Sequence, residues 1–274
     1  MRSDHHPLPP IAGAYRRLAF ALALGICFAG CAAKPPADDP DAVADYNEAN
    51  DPLEPTNRVV YAVNNGIDTV ILRPLALTYR YVVPQPVRNG VHNVLTNLGA
   101  PAQLANDLLE GKPKRAGDTA MRFVINSTIG LLGVFDVATK MGYLDHDADF
   151  GMTLAAWGVP EGPYLFLPVL GPSSPRDVTG YGVDLLFDPF FWVGNSNNPA
   201  IRDVKWVRTA VGAVSIRERV EDPLQSIKKT ALDPYATFRS LYRQHRAAQI
   251  ETMKTDSSGT VPAYPNKTTD SSDK

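Results

Sequence analysis

Histidine and carboxylate side chains are the first residues of this sequence that could do chemistry. Beyond the N-terminal region the histidines are His92, His146 and His245, which lie far apart along the chain. Residues 145–149 read Asp-His-Asp-Ala-Asp, and carboxylate oxygens with an imidazole nitrogen are donors that bind divalent cations. A hydrated acidic loop is the alternative that the sequence favours, and we predict no metal site.

The short motifs that build common active sites are absent from the sequence. There is no His-Glu-x-x-His, no Gly-x-Ser-x-Gly and no glycine-rich phosphate loop ending in Lys-Ser or Lys-Thr. A phospholipase would need an activated nucleophile, and these residues do not assemble one. We therefore predict a protein that is not an enzyme and has no ATP site.

Composition excludes a further class of protein. The 274 residues include 27 lysines and arginines against 29 aspartates and glutamates, a net charge of -2. Because binding to nucleic acid needs a dense basic face, we predict no nucleic-acid partner. The 24 prolines predict helices that are often interrupted.

One cysteine is placed for covalent modification. Arg16 and Arg17 precede an apolar run over residues 18–28, which has the length of a signal peptide and is too short to span a bilayer. The run ends in Phe-Ala-Gly-Cys31, which resembles the lipobox of bacterial lipoproteins, with phenylalanine where leucine is usual. We predict cleavage before Cys31 and attachment of diacylglycerol and an N-acyl chain to it, with no other cofactor. The alternatives are Cys27, which follows a bulky isoleucine, and a plain secretory signal with two buried cysteines.

The rest of the chain divides by composition. Residues 1–30 are the predicted signal peptide, and residues 31–50 are a lipidated, flexible tether with a reach of roughly 25 Å. Residues 51–250 are the predicted folded body, and the polar residues 251–274 are a predicted disordered tail. No acidic residue directly follows Cys31, which favours the outer membrane by resemblance to enterobacterial sorting rules.

The body has the pattern of a mostly helical protein. Apolar residues recur at helical spacing, and prolines stand where first helical turns begin. Arg73-Pro74 is expected to break or restart the first helix, and Ser174 before Pro175 predicts a capped helix start. Residues 164–170 are predicted as a short strand or an extended loop. The predicted helices cover residues 57–69, 86–97, 101–109, 118–132, 174–187, 199–220 and 234–249.

Two stretches are unusually apolar for a soluble helical protein. Residues 123–137 and 185–193 are each shorter than the about 18 to 20 apolar residues of a spanning helix. One interpretation is buried core helices. The other is elements at a membrane interface, where short apolar and aromatic faces are favourable. The second interpretation predicts four membrane-facing side chains: Phe187, Phe190, Phe191 and Trp192.

A series of short motifs runs through the body. It opens with Asp-Pro-Leu-Glu at residues 51–54 and continues with Val-Pro-Gln-Pro-Val-Arg-Asn-Gly at 83–90. The densest part, residues 149–177, contains Asp-Phe-Gly, Trp-Gly-Val, Gly-Pro-Tyr, Gly-Pro-Ser and Arg-Asp in that order, and Asp-Pro-Tyr at 233–235 follows. Over roughly residues 51 to 246, the chain resembles the MlaA/VacJ family of outer-membrane lipoproteins.

The resemblance implies a compact, ring-like body of interrupted, partly amphipathic helices that lies in the periplasmic leaflet of the outer membrane. Family members remove mislocalised phospholipids from the outer leaflet through a central amphipathic channel and pass them to a soluble periplasmic carrier. They also associate with trimeric porins. The expected partners are therefore phospholipid, the outer-membrane bilayer, a porin and the carrier. Pro55 and Thr56 depart from the family, which often has a glycine and an aromatic residue there.

A channel for lipid headgroups needs polar side chains set among apolar ones. We predict five such residues at its lining or rim: Asn126, Asp136, Asp149, Arg176 and Asp177. Each has a structural alternative, because Asn126 could satisfy backbone groups, Asp136 could cap a helix and Arg176 could pair with Asp177. For the whole protein, the alternative function is a structural lipoprotein that scaffolds a porin or the envelope without transporting lipid.

Overall fold

The structure is a computed structural model that describes residues 49–193 and 199–256, together with positions 35, 39, 43, 45 and 46. The predicted signal peptide, Cys31 and the tail beyond residue 256 lie outside the described residues. In chain order the elements are α1 (Glu54–Ile67), a π-helical turn (Asp68–Leu72), α2 (Arg73–Val82), α3 (Gln85–Leu109), α4 (Pro113–Thr128), α5 (Val137–Lys140), α6 (Phe150–Ala156), β1 (Leu165–Leu167), β2 (Gly171–Ser173), α7 (Pro175–Phe187), α8 (Pro189–Val193), α9 (Pro199–Arg219), α10 (Glu221–Thr230) and α11 (Pro234–Lys254).

Helix α1 continues through the π-helical turn into α2 as one helical rod. The Arg73 N–H donates to the Asp68 carbonyl, five residues back, which is the π-helical register. Pro74 then occupies the first turn of α2, where a proline is tolerated. The predicted restart at Arg73-Pro74 is therefore a change of hydrogen-bond register.

Helix α3 corrects one prediction. The two segments expected at residues 86–97 and 101–109 are a single helix from Gln85 to Leu109, with Pro101 in its interior. An interior proline costs about 3 kcal/mol in an isolated helix. Because α3 packs against α4, α6, α7 and α9, tertiary contacts hold it together across the proline. Helix α10 was also not predicted, and α11 extends to Lys254, past the boundary drawn at residue 250.

Neighbouring elements make contact in a closed circuit. Helix α3 contacts α9, α9 contacts α2, and the rod leads through the π turn to α1. Helix α1 contacts β1, β1 pairs antiparallel with β2, and β2 contacts α11. Helix α11 contacts α6, which returns to α3. The predicted ring-like, mostly helical body is therefore confirmed.

The aromatic core of this ring is small. Val60, Tyr164, Phe166 and Tyr235 form a buried cluster where α1, the hairpin and α11 meet. Tyr164 and Tyr235 pack edge to face with ring centroids 6.1 Å apart. The hairpin that delivers Tyr164 and Phe166 confirms the extended segment predicted over residues 164–170.

Candidate lipid-contacting surface and polar interior

Large apolar side chains cover much of the outer surface. They lie on α1, the π turn, α2, the loop after α4, and α9. Soluble monomers rarely expose contiguous apolar patches larger than a few hundred Å². Those at least half exposed include Val59, Val63, Val70, Ile71, Leu75, Ile129, Leu131, Leu132, Phe135, Val204, Trp206 and Val207.

The interior is polar. Among the described residues, buried polar and charged side chains outnumber buried hydrophobic ones. Buried charges are costly unless they are paired and hydrogen-bonded, and the buried arginines here sit beside carboxylates. The distribution is the reverse of that in a soluble protein. Within the described part of the chain, every helix is too short or too polar to cross a bilayer.

Three of the predicted channel residues meet in one ion network, which Arg246 of α11 completes. The Arg246 guanidinium donates to both oxygens of Asp149 at 2.7 Å each and to Asp177 Oδ1 at 2.9 Å. Asp149 also caps α6, where it accepts the Met152 N–H at 2.9 Å. Burial would raise the pKa of the Asp149 carboxyl, but the hydrogen bonds from Arg246 hold the pKa below its ordinary value. The network ties α6, α7 and α11 together.

Asp177 is the centre of this network. It lies 3.3 Å from Arg176 Nε and accepts a hydrogen bond from the Tyr242 hydroxyl. Gly151 makes room for it, since a Cβ there would lie 2.5 Å from both Asp177 Oδ1 and an Arg246 nitrogen. Gly180 likewise allows α7 to approach the backbone of Gly151, where a Cβ would lie 2.5 Å from its nitrogen. The glycine of the Asp-Phe-Gly motif therefore leaves the space that the side chains of the ion network occupy.

Asn126 and Asp136 form a second polar centre, between α4 and α5. Asn126 Oδ1 accepts the Val137 and Ala138 N–H groups at 2.9 and 3.0 Å. Its Nδ2 donates to Asp136 Oδ1 at 3.1 Å, and the same oxygen accepts the Thr139 N–H. Both structural alternatives, satisfaction of backbone groups and helix capping, are therefore present.

The same two residues also line a polar cavity of about 120 Å³ between α3 and α4. Arg122 also lines it, with Asp136 Oδ2 at 3.3 Å from Nη2 and Asp145 Oδ1 at 3.5 Å from Nε. A polar cavity of this size has room for several water molecules. The structure thus brings Asn126 and Asp136 to a polar cavity, and Asp149, Arg176 and Asp177 to a separate ion network.

The residues of the acidic run at 145–149 do not act as one group, because their side chains contact different partners. His146 Nε2 lies 2.9 Å from Asp107 Oδ1, and Asp107 Oδ2 accepts a hydrogen bond from Thr119 Oγ1 at 2.6 Å. The favoured interpretation as a hydrated loop is wrong for His146, which is 3% exposed. Within the residues that the structure describes, no group of three or more His, Cys, Asp or Glu side chains is arranged to hold a metal ion.

The predicted membrane-facing aromatics differ in exposure. Trp192 is 63% exposed, whereas Phe187, Phe190 and Phe191 are half-buried. The Arg208 guanidinium carbon lies 4.6 Å from the centre of the Phe190 ring, a cation–π contact. Of the four side chains, Trp192 therefore presents the most surface to the surroundings.

The loop after α4 is the most exposed apolar feature of residues 123–137. Leu131 and Leu132 are 64% and 76% exposed and adopt left-handed backbone conformations, with φ of 53° and 58°. Each costs about 1–2 kcal/mol for an L-residue. The turn closes at Gly133, where a Cβ would lie 2.7 Å from Asn97 Cβ. The buried-core interpretation is wrong for this loop, which holds two leucines outward at a cost in strain.

An apolar groove of about 750 Å³ lies between α3 and α9. Val87, Val91, Val94 and Leu98 line the α3 side, and Val207 lies on the α9 side. The volume falls within the 300–1,000 Å³ of typical small-molecule sites. The groove can accept an apolar chain.

Comparison with known proteins identifies the family. The model of the MlaA lipoprotein family matches residues 49–249. The chain belongs to the MlaA lipoprotein family. A Haemophilus influenzae member, named intermembrane phospholipid transport system lipoprotein MlaA, is 33% identical over 240 residues, which cover 85% of this chain and 90% of the relative. The protein of that name from Escherichia coli K12 is 33% identical over 229 residues, which cover 82% and 85%.

A solved structure of the same fold supports the assignment. It comes from work on the structural basis for maintenance of bacterial outer membrane lipid asymmetry. It shares 33% identity with this chain at a TM-score of 0.62, and the match covers 73% of this chain and 98% of that one. The resemblance to the MlaA/VacJ family is thereby confirmed for most of the body.

The sequence patterns did not identify several polar residues of the interior. Arg246, Asp107 and Arg217 lie in helical segments without a distinctive local pattern, and each has a partner at least 39 positions away in the sequence. Asp68 could have been found, because it is a lone charge in the apolar run Ile-Asp-Thr-Val-Ile-Leu at residues 67–72. A carboxylate buried in such a run needs a cation as partner.

Proposed function

We propose that this MlaA-family chain is an outer-membrane lipoprotein of intermembrane phospholipid transfer. It removes mislocalised phospholipids from the outer leaflet and passes them to a soluble periplasmic carrier, which maintains lipid asymmetry. It catalyses no covalent step. The names of the Haemophilus influenzae and Escherichia coli relatives and the subject of the solved structure support this proposal.

The main support for the proposal is that apolar side chains lie on the outer surface and polar side chains in the interior. Burial of apolar surface is worth about 25 cal/mol per Å², so the exposed leucines, valines and tryptophans favour the hydrocarbon of a leaflet over water. The charged side chains inside the ring are paired with one another, so they do not require water at the outer face of the protein. A helical body with these properties is suited to lie within one leaflet.

The two halves of a phospholipid need different surroundings, and the ring offers both. The polar cavity beside Asn126 and Asp136 is suited to a hydrated headgroup. The apolar groove is suited to an acyl chain. From Val87 to Leu98 it extends about 16 Å at 1.5 Å per residue, close to half of a hydrocarbon core of about 30 Å.

The proposal includes an anchor and partners. Diacylglycerol and an N-acyl chain on Cys31 hold the protein to the periplasmic leaflet of the outer membrane, and two or more chains suffice for stable anchoring. A trimeric porin associates with the body, and the soluble carrier takes the lipid on the periplasmic side. Phe187, Phe190, Phe191 and Trp192 face the bilayer, with Trp192 at the headgroup boundary.

The proposal is tested by measuring the amount of outer-leaflet phospholipid in a strain that lacks the gene. Palmitoylation of lipid A reports this amount. We expect more outer-leaflet phospholipid in the deletion strain, rescue by the wild type, and weaker rescue by Cys31→Ala at equal protein level.

An unchanged leaflet composition in the deletion strain would contradict transport. That result would favour the alternative function, a structural lipoprotein that scaffolds a porin or the envelope. Loss of total phospholipid mass, instead of its relocation, would point to a lipase.

A further inference from the structure

A second cavity lies where the π-helical turn meets the hairpin and the ends of α9, α10 and α11. Its volume is about 290 Å³. Tyr61, Leu72, Phe166, Leu170 and Phe238 provide apolar walls. Charged side chains stand at one side of the same space, so the cavity is amphipathic.

The charged side of the cavity is a network around the first residue of the π turn. Asp68 Oδ2 lies 2.9 Å from Lys228 Nζ and 3.1 Å from Arg217 Nη2. Glu221 pairs with Arg217 at 2.7 Å and with Arg73 at 3.0 Å. Three cations and two carboxylates give the network one excess positive charge, and the three members that line the cavity, Asp68, Arg217 and Lys228, also sum to one positive charge. Burial would raise the pKa of Asp68, but hydrogen bonds from Arg217 and Lys228 hold the pKa below its ordinary value, so the carboxyl is charged at neutral pH.

The neighbouring charges do not supply the missing negative charge. Arg80 lies 2.7 Å from Asp222 and 3.6 Å from Glu218, and Arg88 lies 3.4 Å from Glu218. Two arginines and two carboxylates balance one another in that group. The excess positive charge therefore stays with the cavity network.

Lys228 is the member of the network that can accept a ligand. Its side chain is 20% exposed, and it lines the cavity. An ammonium group has three N–H donors, and the hydrogen bond to Asp68 uses one. The space thus offers free N–H donors from a cation beside apolar walls.

We propose that this cavity binds the headgroup of a glycerophospholipid. The Lys228 ammonium group donates hydrogen bonds to the phosphodiester oxygens. The glycerol and the first methylenes lie along Phe166, Leu170 and Phe238. The π turn fits this role, because such turns are rare and frequently occur at functional sites. This inference rests on the proposed function and assigns a second headgroup position, separate from the polar cavity beside Asn126 and Asp136.

The apolar walls favour a lipid over free phosphate. An inorganic phosphate would leave the faces of Phe166, Leu170 and Phe238 in contact with water, whereas a lipid covers them. Because the two ligands share the phosphate chemistry, a short-chain phospholipid and inorganic phosphate are used as the two probes.

The test is calorimetric titration of the full lipidated protein in a nonionic detergent with dihexanoylphosphatidylglycerol below its micelle concentration. Lys228→Gln is expected to weaken binding about tenfold or more, since a hydrogen bond to a charged group is worth about 1.5–3 kcal/mol and 1.4 kcal/mol is tenfold. Lys228→Arg is expected to keep affinity within about threefold. Higher salt is expected to weaken wild-type binding more than that of Lys228→Gln.

Lys229→Gln is the matched control, because it makes the same charge change one residue along α10, on an exposed side chain outside the cavity lining. We expect little change in its affinity. Equal losses for Lys228→Gln and Lys229→Gln would overturn the proposal, as would a failure of Lys228→Arg to bind although its melting temperature is that of the wild type. Binding of inorganic phosphate as tightly as the lipid would assign the cavity to free phosphate and overturn the lipid assignment.

Failure of this inference and failure of the proposed function give different results. If Lys228→Gln binds normally while the deletion strain still accumulates outer-leaflet phospholipid, the headgroup site is wrong and the transport function stands. If the deletion strain has normal asymmetry while Lys228→Gln loses lipid binding, the site exists but the transport function is wrong.

Discussion

Replacement of Asp149 by asparagine tests whether this residue stabilises the ring or lines a passage. Asparagine is about as good a helix cap as aspartate, so the hydrogen bond from Met152 N is kept. The change removes the charge that faces Arg246, whose side chain is 9% exposed. Breaking a buried pair costs about 3–5 kcal/mol. Because Asp149 is 34% exposed and Arg246 retains Asp177, we expect the lower value of a charged hydrogen bond, about 1.5–3 kcal/mol.

Asp222→Asn is the matched control. Its carboxylate meets Arg80 in the same two-pronged geometry, at 2.7 and 2.8 Å, but it is 74% exposed. Exposed pairs contribute about 0–1 kcal/mol. At about 2–4 °C per kcal/mol, the melting temperature should fall by about 3–12 °C for Asp149→Asn and by at most about 4 °C for Asp222→Asn. The measurement is thermal unfolding of the purified protein in detergent, together with its level in the outer membrane.

Equal melting temperatures for the two variants would refute the structural role of Asp149. In that case a defect in the membrane barrier at normal protein level would return Asp149 to the channel lining. A fall in stability that is larger than that of Asp222→Asn would explain any barrier defect by loss of folded protein.

Three further predictions follow from named contacts. The double change Leu131→Asn, Leu132→Asn is expected to keep or raise the melting temperature in detergent, because asparagine tolerates the left-handed backbone. When the same change is made in an unlipidated Cys31→Ala protein, the fraction that floats with liposomes is expected to fall more than tenfold. An unchanged floating fraction would place the loop outside the bilayer. Burial raises the pKa of Glu110 to about 8 from 4.5, so the folded state keeps a proton that the unfolded state loses. The free energy of unfolding should therefore fall as pH rises from about 5 to 8, by at most about 1.4 kcal/mol per pH unit. Glu110→Gln should flatten the melting temperature over that window, and an unaltered pH profile in this variant would contradict the assignment. Gly151→Ala should lower the melting temperature, because its Cβ would meet Asp177 and Arg246, whereas Gly117→Ala, with open space around it, should not.

Local features of the fold could be predicted from the sequence. Ser174 before Pro175 and Asp136 before Val137 were both identified as possible helix caps, and each accepts a backbone N–H of the first turn. Caps are local, so residue type and spacing are sufficient to find them. The continuous helix through Pro101 could not be found in this way, because neighbouring helices compensate for the proline.

The sites depend on contacts between remote residues. Arg246 is 97 positions from Asp149, and Arg217 is 149 positions from Asp68. No local pattern contains these pairings. Asn126 and Asp136 were found because they flank an apolar segment, and they do meet at a polar cavity. Lys228 lies in a helix that was not predicted, so sequence reasoning had no reason to place it beside a cavity.

The central claim is the removal of phospholipid from the outer leaflet, and the rate of that removal tests it most directly. A fluorescent short-chain phospholipid is inserted into the surface of intact cells, and the fluorescence that remains accessible to a membrane-impermeant quencher is followed over time. We predict that surface fluorescence declines faster in wild-type cells than in the deletion strain, with the total amount of intact labelled lipid unchanged. Equal rates in the two strains, or a decline caused by hydrolysis of the labelled lipid, would contradict the account.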